Sequence, residues 1–214
     1  MKDVFSLIGF EREKVKTPSQ LYRLIRPEYF SDSTTEVEKM TEEGAFRVLA
    51  MSSVWNKEKG LYDIFKLREL LPDNYQITIV GLTAKQVDGL PSGIKGIQRT
   101  QHVQELVQLY SDADVLINPT YADSFPTVNL EALACGTPLV TYRTGGSPEA
   151  ISDDTGWVVE QGDTIVLAAS VENVCSKGKP HFVEACRKRA EAYFDKDKCF
   201  EKYVRLYGSL MAHF

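Results

Sequence analysis

Residues 113–142 read ADVLINPTYADSFPTVNLEALACGTPLVTY and contain the pattern that decides the fold. Apolar runs at about 114–118 and about 138–142 have the length of buried strands. Between them, about 126–135 is predicted to be a helix that begins at Pro126 and is closed by Gly136, with Pro138 just beyond. Strand, helix and strand in this order predict two parallel strands joined by a crossover helix.

The same alternation continues on both sides of this unit. Further strands are predicted at about 46–52, 75–80, 94–98 and 156–159, and further helices at about 60–71, 83–88 and 102–111. The repeat predicts an α/β fold, a Rossmann-like parallel sheet flanked by helices. After Gly162 the pattern is helical, at about 164–176, 180–193 and 196–211. We expect the folded domain over 45–214, after a loosely structured arm or linker over 1–44.

The last predicted helix carries an apolar stripe. Its members recur at helical spacing and are Phe200, Tyr203, Val204 and Tyr207. We expect this stripe to pack against the core.

Composition excludes several classes of function. The 214 residues are 43% hydrophobic and 26% charged, with a net charge of -5, which argues against a nucleic-acid partner. Four cysteines without Cys-x-x-Cys spacing and three scattered histidines predict reduced thiols and no zinc site. The N-terminal stretch fits neither a signal peptide nor a membrane span, and no later stretch could cross a bilayer. We expect a cytoplasmic protein, or one peripheral at the inner face of the membrane.

The unusual polar residues gather in the connections that follow strands. These connections are 52–60, 99–102, 118–125 and 143–149, whereas the helix-to-strand connections hold little beyond turn residues. In an open parallel sheet, the connections after strands all lie at the carboxyl edge, where ligands bind at a switch of strand order. The sequence therefore predicts a ligand site at that edge.

Two carboxylates flank the start of the predicted helix at 126–135. Asp123 lies just before this start and Glu131 about one and a half turns inside it. The backbone amides of Thr127 and Val128 should be free at the helix start and favour an anion. A ligand with hydroxyls at both ends and phosphate in the middle, such as a nucleotide sugar, would satisfy all three groups.

Each acid also has a structural alternative. Asp123 could serve only as a helix cap. Glu131 could pair with a lysine or with backbone amides of a neighbouring element, as buried acids commonly do.

The run from Asp123 to Val140, followed by Thr144–Glu149, resembles the donor-binding signature of glycosyltransferase family 4. Members of that family are retaining enzymes of the GT-B fold, in which two similar domains enclose the active site. The signature has two acids separated by seven residues, and this chain keeps the spacing with aspartate in the first position. The resemblance covers about residues 45–160 and implies that the chain is one half of a GT-B fold.

The resemblance implies roles for both acids and for the residues between them. Glu131 would bind the ribose hydroxyls of the donor, and Asp123 would contact the transferred sugar. Aspartate is one methylene shorter than the usual glutamate, which affects its reach. The remaining substrate-binding residues would be Ser124, Phe125, Pro126, Thr127, Val128, Arg99, Gly145 and Gly146.

The resemblance also implies cationic groups at the diphosphate. Lys59 would neutralise charge on the departing group and, with Asp123, form the catalytic set. Many members carry an arginine six positions earlier, where this chain has Ser53. Arg99 or Lys57 are the candidates to replace its charge, and for each a plain surface position is the alternative.

The family chemistry needs no metal, so neither a metal nor a cofactor is expected. The segment Asp112-Ala113-Asp114 resembles an Asp-x-Asp metal motif, but we place it at the edge opposite the site, where it ends a helix and starts a strand. An NAD-dependent oxidoreductase is disfavoured, because the glycine fingerprint is missing from the first strand-to-helix turn.

Two functions of different class remain open. One is a retaining hexosyltransferase-type glycosyltransferase that moves a sugar from a nucleoside diphosphate to a glycan or lipid-linked acceptor, in polysaccharide biosynthesis. The other is a nucleotide-sugar binding module that is inactive without an N-terminal, acceptor-binding partner domain. In both cases this chain is the donor-binding half, expected to bind donor and to be weakly active or inactive alone.

Overall fold

The computed structural model of the protein describes residues 44–211. Its six strands are β1 (Phe46–Met51), β2 (Tyr75–Val80), β3 (Ile94–Ile97), β4 (Val115–Asn118), β5 (Leu139–Tyr142) and β6 (Gly156–Val159). They form one sheet in the order β3-β2-β1-β4-β5-β6, and every neighbouring pair is parallel. The predicted Rossmann-like parallel sheet is therefore confirmed.

Seven α-helices of the described residues flank or follow the sheet. They are α1 (Leu61–Leu70), α2 (Ala84–Asp88), α3 (Val103–Asp112), α4 (Thr127–Ala134), α5 (Thr164–Lys177), α6 (Pro180–Tyr193) and α7 (Lys196–Met211), and a short 3-10 helix spans Ser147–Ala150. The arm or linker predicted over 1–44 lies, apart from Gly44, outside the described residues.

Strands β4 and β5 are mostly apolar because helices cover both faces of the sheet. All residues of β4 and β5 are buried, which is the pattern of an interior parallel strand. Leu167, Val171 and Val174 of α5 have no exposed area and belong to the same core. This rigid core fixes the positions from which the loops at the carboxyl edge begin.

The strand order reverses between β1 and β4. From β1 the chain continues to β2 on one side, whereas from β4 it continues to β5 on the other. The loops after these two strands therefore diverge and leave a crevice at their carboxyl ends. This is the edge at which the sequence predicts the site.

Helix α4 begins one residue later than the sequence predicts. Pro126 has extended backbone angles, φ −70° and ψ 118°, so it is the N-cap and Thr127 is the first helical residue. The side chain of the N-cap residue makes no capping hydrogen bond. Because Pro126 occupies the N-cap position and the carboxylate of Asp123 pairs with Lys59, the alternative in which Asp123 serves only as a helix cap is wrong.

The prediction for the apolar stripe of α7 is wrong. Tyr203, Val204 and Tyr207 are between 38 and 56% exposed, and α7 has no buried residue. The periodic pattern correctly predicts the helix and its apolar face. It does not determine which element covers that face, and the described elements do not bury it.

The Asp-x-Asp segment lies at the amino edge of the sheet, as predicted. Asp112 ends α3. The Asp114 carboxylate accepts a 2.8 Å hydrogen bond from the backbone N–H of Arg47, next to the start of β1. This aspartate therefore joins the starts of two strands, away from the crevice.

Candidate functional site

A cleft of about 190 Å³ opens at the carboxyl ends of β1 and β4. It lies at the point where the strand order reverses. Its wall is formed by three residues around the end of β1, the last residue of β4, the loop that carries Asp123 and the start of α4. The lining residues are Met51, Ser52, Ser53, Lys59, Asn118, Asp123, Phe125, Pro126, Thr127 and Val128.

Lys59 and Asp123 form an ion pair in this cleft. Lys59 Nζ lies 2.7 Å from Asp123 Oδ2 and also donates to the carbonyl of Ala122 at 3.2 Å. The two side chains are 29 and 23% exposed, so the pair is only partly screened by solvent. Aspartate is thus long enough to reach the lysine across the cleft. The structure brings together the two residues predicted as catalytic, although they are 64 positions apart.

Gly60 allows the two loops to approach so closely. Its φ is +73°, and a Cβ atom there would lie 2.0 Å from the carbonyl oxygen of Pro119. Any side chain would therefore push the loop after β1 away from the loop after β4. The N–H of Tyr121 donates to the carbonyl of Glu58 at 2.7 Å and closes the contact.

Gly145 and Gly146 support the other side of the Asp123 loop. A Cβ at Gly145 would lie 2.0 Å from the carbonyl oxygen of Asp123, and one at Gly146 would lie 2.5 Å from the Phe125 ring. The N–H of Gly146 donates to the carbonyl of Ser124 at 2.8 Å. The two glycines therefore support the loop that carries the predicted substrate-binding residues.

Phe125 is held from a second direction. Its ring lies 5.9 Å from that of Phe194, centroid to centroid, at the end of α6. The guanidinium of Arg189 lies 5.9 Å from the same Phe194 ring and donates to the carbonyls of Glu149 and Ala150. The residue that follows α6 thus contacts the wall of the cleft.

The first amides of α4 point out of the helix start beside Lys59. Thr127 and Val128 hold the first two helical positions, where an N–H has no partner inside the helix, and both line the cleft. Asn129 follows them, fully buried, and its Oδ1 accepts a 2.8 Å hydrogen bond from Asn118 of β4. This amide pair fixes the helix start to the end of the strand.

Glu131 lies deeper in the domain than the sequence predicts. Its side chain is 3% exposed, and Oε2 accepts a 2.7 Å hydrogen bond from the hydroxyl of Tyr110, on α3. Burial raises the pKa of Glu131, and the hydroxyls of Tyr110 and Thr127 oppose that rise. Within residues 44–211, no hydrogen bond of ordinary geometry reaches Oε1. A tyrosine, and neither a lysine nor backbone amides, therefore satisfies Oε2 of this acid, and the Thr127 hydroxyl is the other group that acts on the carboxylate.

Several predicted residues lie outside the cleft wall. Arg99 is exposed and follows β3, the outer strand of the sheet, two strands away from β1. Lys57 is also exposed, and neither cation lines the cleft. Ser53 does line it, at the position where the resemblance expects an arginine. Among described residues, Lys59 is therefore the only cation in the cleft wall.

Three contributors were not predicted from the sequence. Tyr110 donates a hydrogen bond to Glu131, and Asn129 accepts one from Asn118. Asp63 accepts hydrogen bonds from Tyr121 and Tyr142 next to the Asp123 loop. Asn118 had a sequence signal, since it is polar and directly ends a buried strand. The contacts of Tyr110 and Asp63 join distant elements and have no such signal.

The described part of the chain contains no group of three or more histidine, cysteine, aspartate or glutamate side chains arranged to hold a metal. It also contains no helix long and apolar enough to span a bilayer.

Comparison with known proteins places this geometry in a family. A family model described as glycosyl transferases group 1 matches residues 45–177. The chain is 44% identical over 72 residues to the D-inositol 3-phosphate glycosyltransferase of Corynebacterium diphtheriae, a match that covers 33% of this chain and 17% of that protein. It is 22% identical over 167 residues to the capsular polysaccharide biosynthesis glycosyltransferase CapM of Staphylococcus aureus, covering 72 and 44% of the two chains.

A solved structure shares the fold. HepE of Anabaena, in complex with UDP-glucose, superposes with a TM-score of 0.65 at 18% identity, over 90% of this chain and 53% of that one. This chain therefore spans about half the length of HepE, and less of the two curated relatives.

Proposed function

The chain belongs to the glycosyl transferases group 1 family, and from this premise we propose that it is the donor-binding half of a retaining, family 4 glycosyltransferase. Its donor is a nucleoside-diphosphate sugar, a hexose-type sugar is transferred, and the acceptor is a glycan or lipid-linked glycan in polysaccharide biosynthesis. The other half of the active site comes from an N-terminal, acceptor-binding domain.

One observation carries the proposal. At the switch point of the sheet, a lysine, an aspartate and the free amides of a helix start line one cleft. Amides and an ammonium group favour phosphate, and a carboxylate favours sugar hydroxyls. A ligand that carries phosphate next to a sugar matches both kinds of group.

The residues of the chain then have separate tasks. When the bond between the sugar carbon and the phosphate oxygen breaks, negative charge grows on the departing diphosphate. Lys59 and the amides of Thr127 and Val128 stabilise that charge, which lowers the barrier because they are already in position. Asp123 holds the transferred sugar close to these groups. Glu131 accepts hydrogen bonds from the ribose hydroxyls through its free oxygen.

Access to Glu131 requires a small rearrangement. Its free oxygen is buried, and Thr127 lies one turn above it on the same face of α4. Thr127 lines the cleft and its hydroxyl also acts on Glu131, so we propose that this side chain rotates to admit a ribose hydroxyl.

A second candidate is a binding module without transfer activity. The chain matches about half the length of HepE, and the resemblance to the GT-B fold implies that the acceptor side is formed by a second domain. Transfer measured with this chain alone would exclude it, and transfer only after an N-terminal half is added would support it.

Calorimetric titration with UDP, GDP and ADP tests the donor site. We expect one of them to bind with a Kd in the micromolar range, on the order of 8 kcal/mol of binding free energy. Glu131→Ala should weaken that binding. If no nucleotide binds, or if Glu131→Ala leaves the affinity unchanged, the donor-site proposal is wrong.

A further inference from the structure

We propose that Asp63 and Tyr121 form a positioning pair that holds the Asp123 loop, residues 119–123, against the segment that carries Lys59. The pair thereby sets the contact between Lys59 and Asp123. The importance of the pair for donor binding rests on the proposed function, whereas its effect on the contact between Lys59 and Asp123 does not.

The acceptor of the pair is a buried carboxylate. Asp63 lies in the first turn of α1, four residues after Lys59, and is 6% exposed. Its Oδ2 accepts hydrogen bonds from the Tyr121 hydroxyl at 2.6 Å and from the Tyr142 hydroxyl at 3.1 Å. A buried carboxylate without such donors destabilises the fold, so the folded protein favours conformations in which these hydrogen bonds are kept.

The donor of the pair lies on the loop itself. Tyr121 is two residues before Asp123, and its hydroxyl reaches α1 while its backbone N–H donates to Glu58 at 2.7 Å. Both ends of this residue therefore bind the segment 58–63, which carries Lys59. Partial burial, together with the hydrogen bond to Asp63 and its negative charge, raises the pKa of Tyr121 to about 12, and its hydroxyl is therefore protonated and can donate at neutral pH.

Tyr142 provides a matched comparison within the same cluster. Its hydroxyl donates to the same oxygen of Asp63, but it lies at the end of β5, inside the sheet. Its ring packs edge-on against that of Tyr121 at 5.5 Å. Loss of its hydroxyl removes a bond to Asp63 without releasing the Asp123 loop.

Other hydrogen bonds also brace this loop. The Thr144 hydroxyl donates to the carbonyl of Thr120 at 2.7 Å, and the Thr120 hydroxyl lies 3.1 Å from the carbonyl of Ala122. Removal of the Tyr121 hydroxyl should therefore loosen the loop without unfolding it. We therefore expect this change to alter the contact between Lys59 and Asp123 and to preserve the fold.

Acetylation kinetics of single lysines test the proposal without any ligand. An amine held by an ion pair and a carbonyl reacts more slowly with an acylating reagent than a free one. Lys59 is held in this way, whereas Lys57, two residues earlier, is exposed and provides an internal standard in the same loop. Peptide mass spectrometry gives the ratio of the two rates.

We expect Tyr121→Phe to raise the Lys59/Lys57 rate ratio about three- to tenfold, less than the full worth of a hydrogen bond to a charged acceptor because the bonds of Thr144 and Thr120 still brace the loop. Tyr142→Phe should leave the ratio within error of the parent protein. An unchanged ratio in Tyr121→Phe, or equal ratios in the two variants, would overturn the proposal. Asp63→Asn keeps one acceptor oxygen, so its Lys59/Lys57 rate ratio should fall between those of the parent and Tyr121→Phe. A purely structural role of Asp63 does not require this order.

Titration with UDP and UDP-glucose separates this proposal from the proposed function. If the parent protein binds neither, the donor site is wrong for these probes and the acetylation ratios still decide the positioning role. If it binds them, Tyr121→Phe should weaken binding more than Tyr142→Phe. Equal weakening by both variants would contradict the proposal.

Discussion

The close approach at Gly146 leads to a sharp prediction for Gly146→Ala. The backbone at this position, φ −84° and ψ 3°, is allowed for alanine, so the effect is purely one of space. The new Cβ would lie 2.5 Å from Phe125 Cδ2 and 2.6 Å from the carbonyl oxygen of Ser124. Ordinary contacts between carbon atoms begin at about 3.5 Å, so the ring or the loop must move by about 1 Å.

The magnitude follows from this displacement. Overpacking of this kind costs about 1–3 kcal/mol of stability. Phe125 lines the cleft and is restrained on its other side by Phe194, so the movement reaches the site. A displacement of about 1 Å at a binding site can reduce catalysis about a hundredfold, and we expect the affinity for UDP-glucose to fall about tenfold or more.

The assay is calorimetry with UDP-glucose together with urea unfolding. Gly89→Ala is the control, because its backbone is also allowed, φ −99°, and its Cβ would meet no atom closer than 3.5 Å. The control should change stability by less than about 0.5 kcal/mol and leave affinity unchanged. If Gly146→Ala binds like the parent and is no less stable than Gly89→Ala, Gly146 does not support the Phe125 side of the cleft.

Three further predictions concern charged and titratable groups. Lys59→Met should weaken UDP-glucose binding about tenfold or more, since it removes a charged donor, whereas Lys57→Met should not; equal affinities by calorimetry would refute the role of Lys59. Tyr110→Phe removes a hydrogen bond that opposes the raised pKa of Glu131, so UDP affinity should fall more at about pH 6 than at about pH 8; a loss independent of pH would contradict a bound carboxylate. Burial lowers the pKa of Lys179 from 10.5 to about 8. Below this folded-state pKa a charged ammonium is buried, which destabilises the folded protein, and the destabilisation is relieved as pH rises toward 10.5. The free energy of unfolding in urea should therefore rise by roughly 2–3 kcal/mol relative to Lys179→Met over this interval, and a flat difference would exclude the penalty.

The strands and most helices could be predicted because their signals are local. Each buried strand is a short apolar run, and the helix at 126–135 has Pro126 near its start and Gly136 just after its end. The start of α4 differs by one residue because Pro126 can occupy the N-cap as well as the first turn. The edge at which the cleft opens could be predicted from topology, since loops after parallel strands share one edge.

Long-range contacts between side chains could not be predicted in this way. The hydrogen bond between Tyr110 and Glu131 and the ion pair between Lys59 and Asp123 each join two elements whose distance depends on the whole sheet. The apolar stripe of α7 shows the same limit. Periodicity predicts an apolar face, but the residue that covers it is not encoded in the spacing.

The most direct test of the donor site follows the backbone amides of the cleft by NMR. The chain is titrated separately with UDP-glucose, GDP-mannose and ADP-glucose. We expect one of them to shift the amide signals of Thr127, Val128 and Lys59 most strongly and to leave those of Asp112–Asp114, at the opposite edge of the sheet, unchanged. Binding that leaves the Thr127 and Val128 signals in place, or no binding by any of the three, would contradict the proposed donor site.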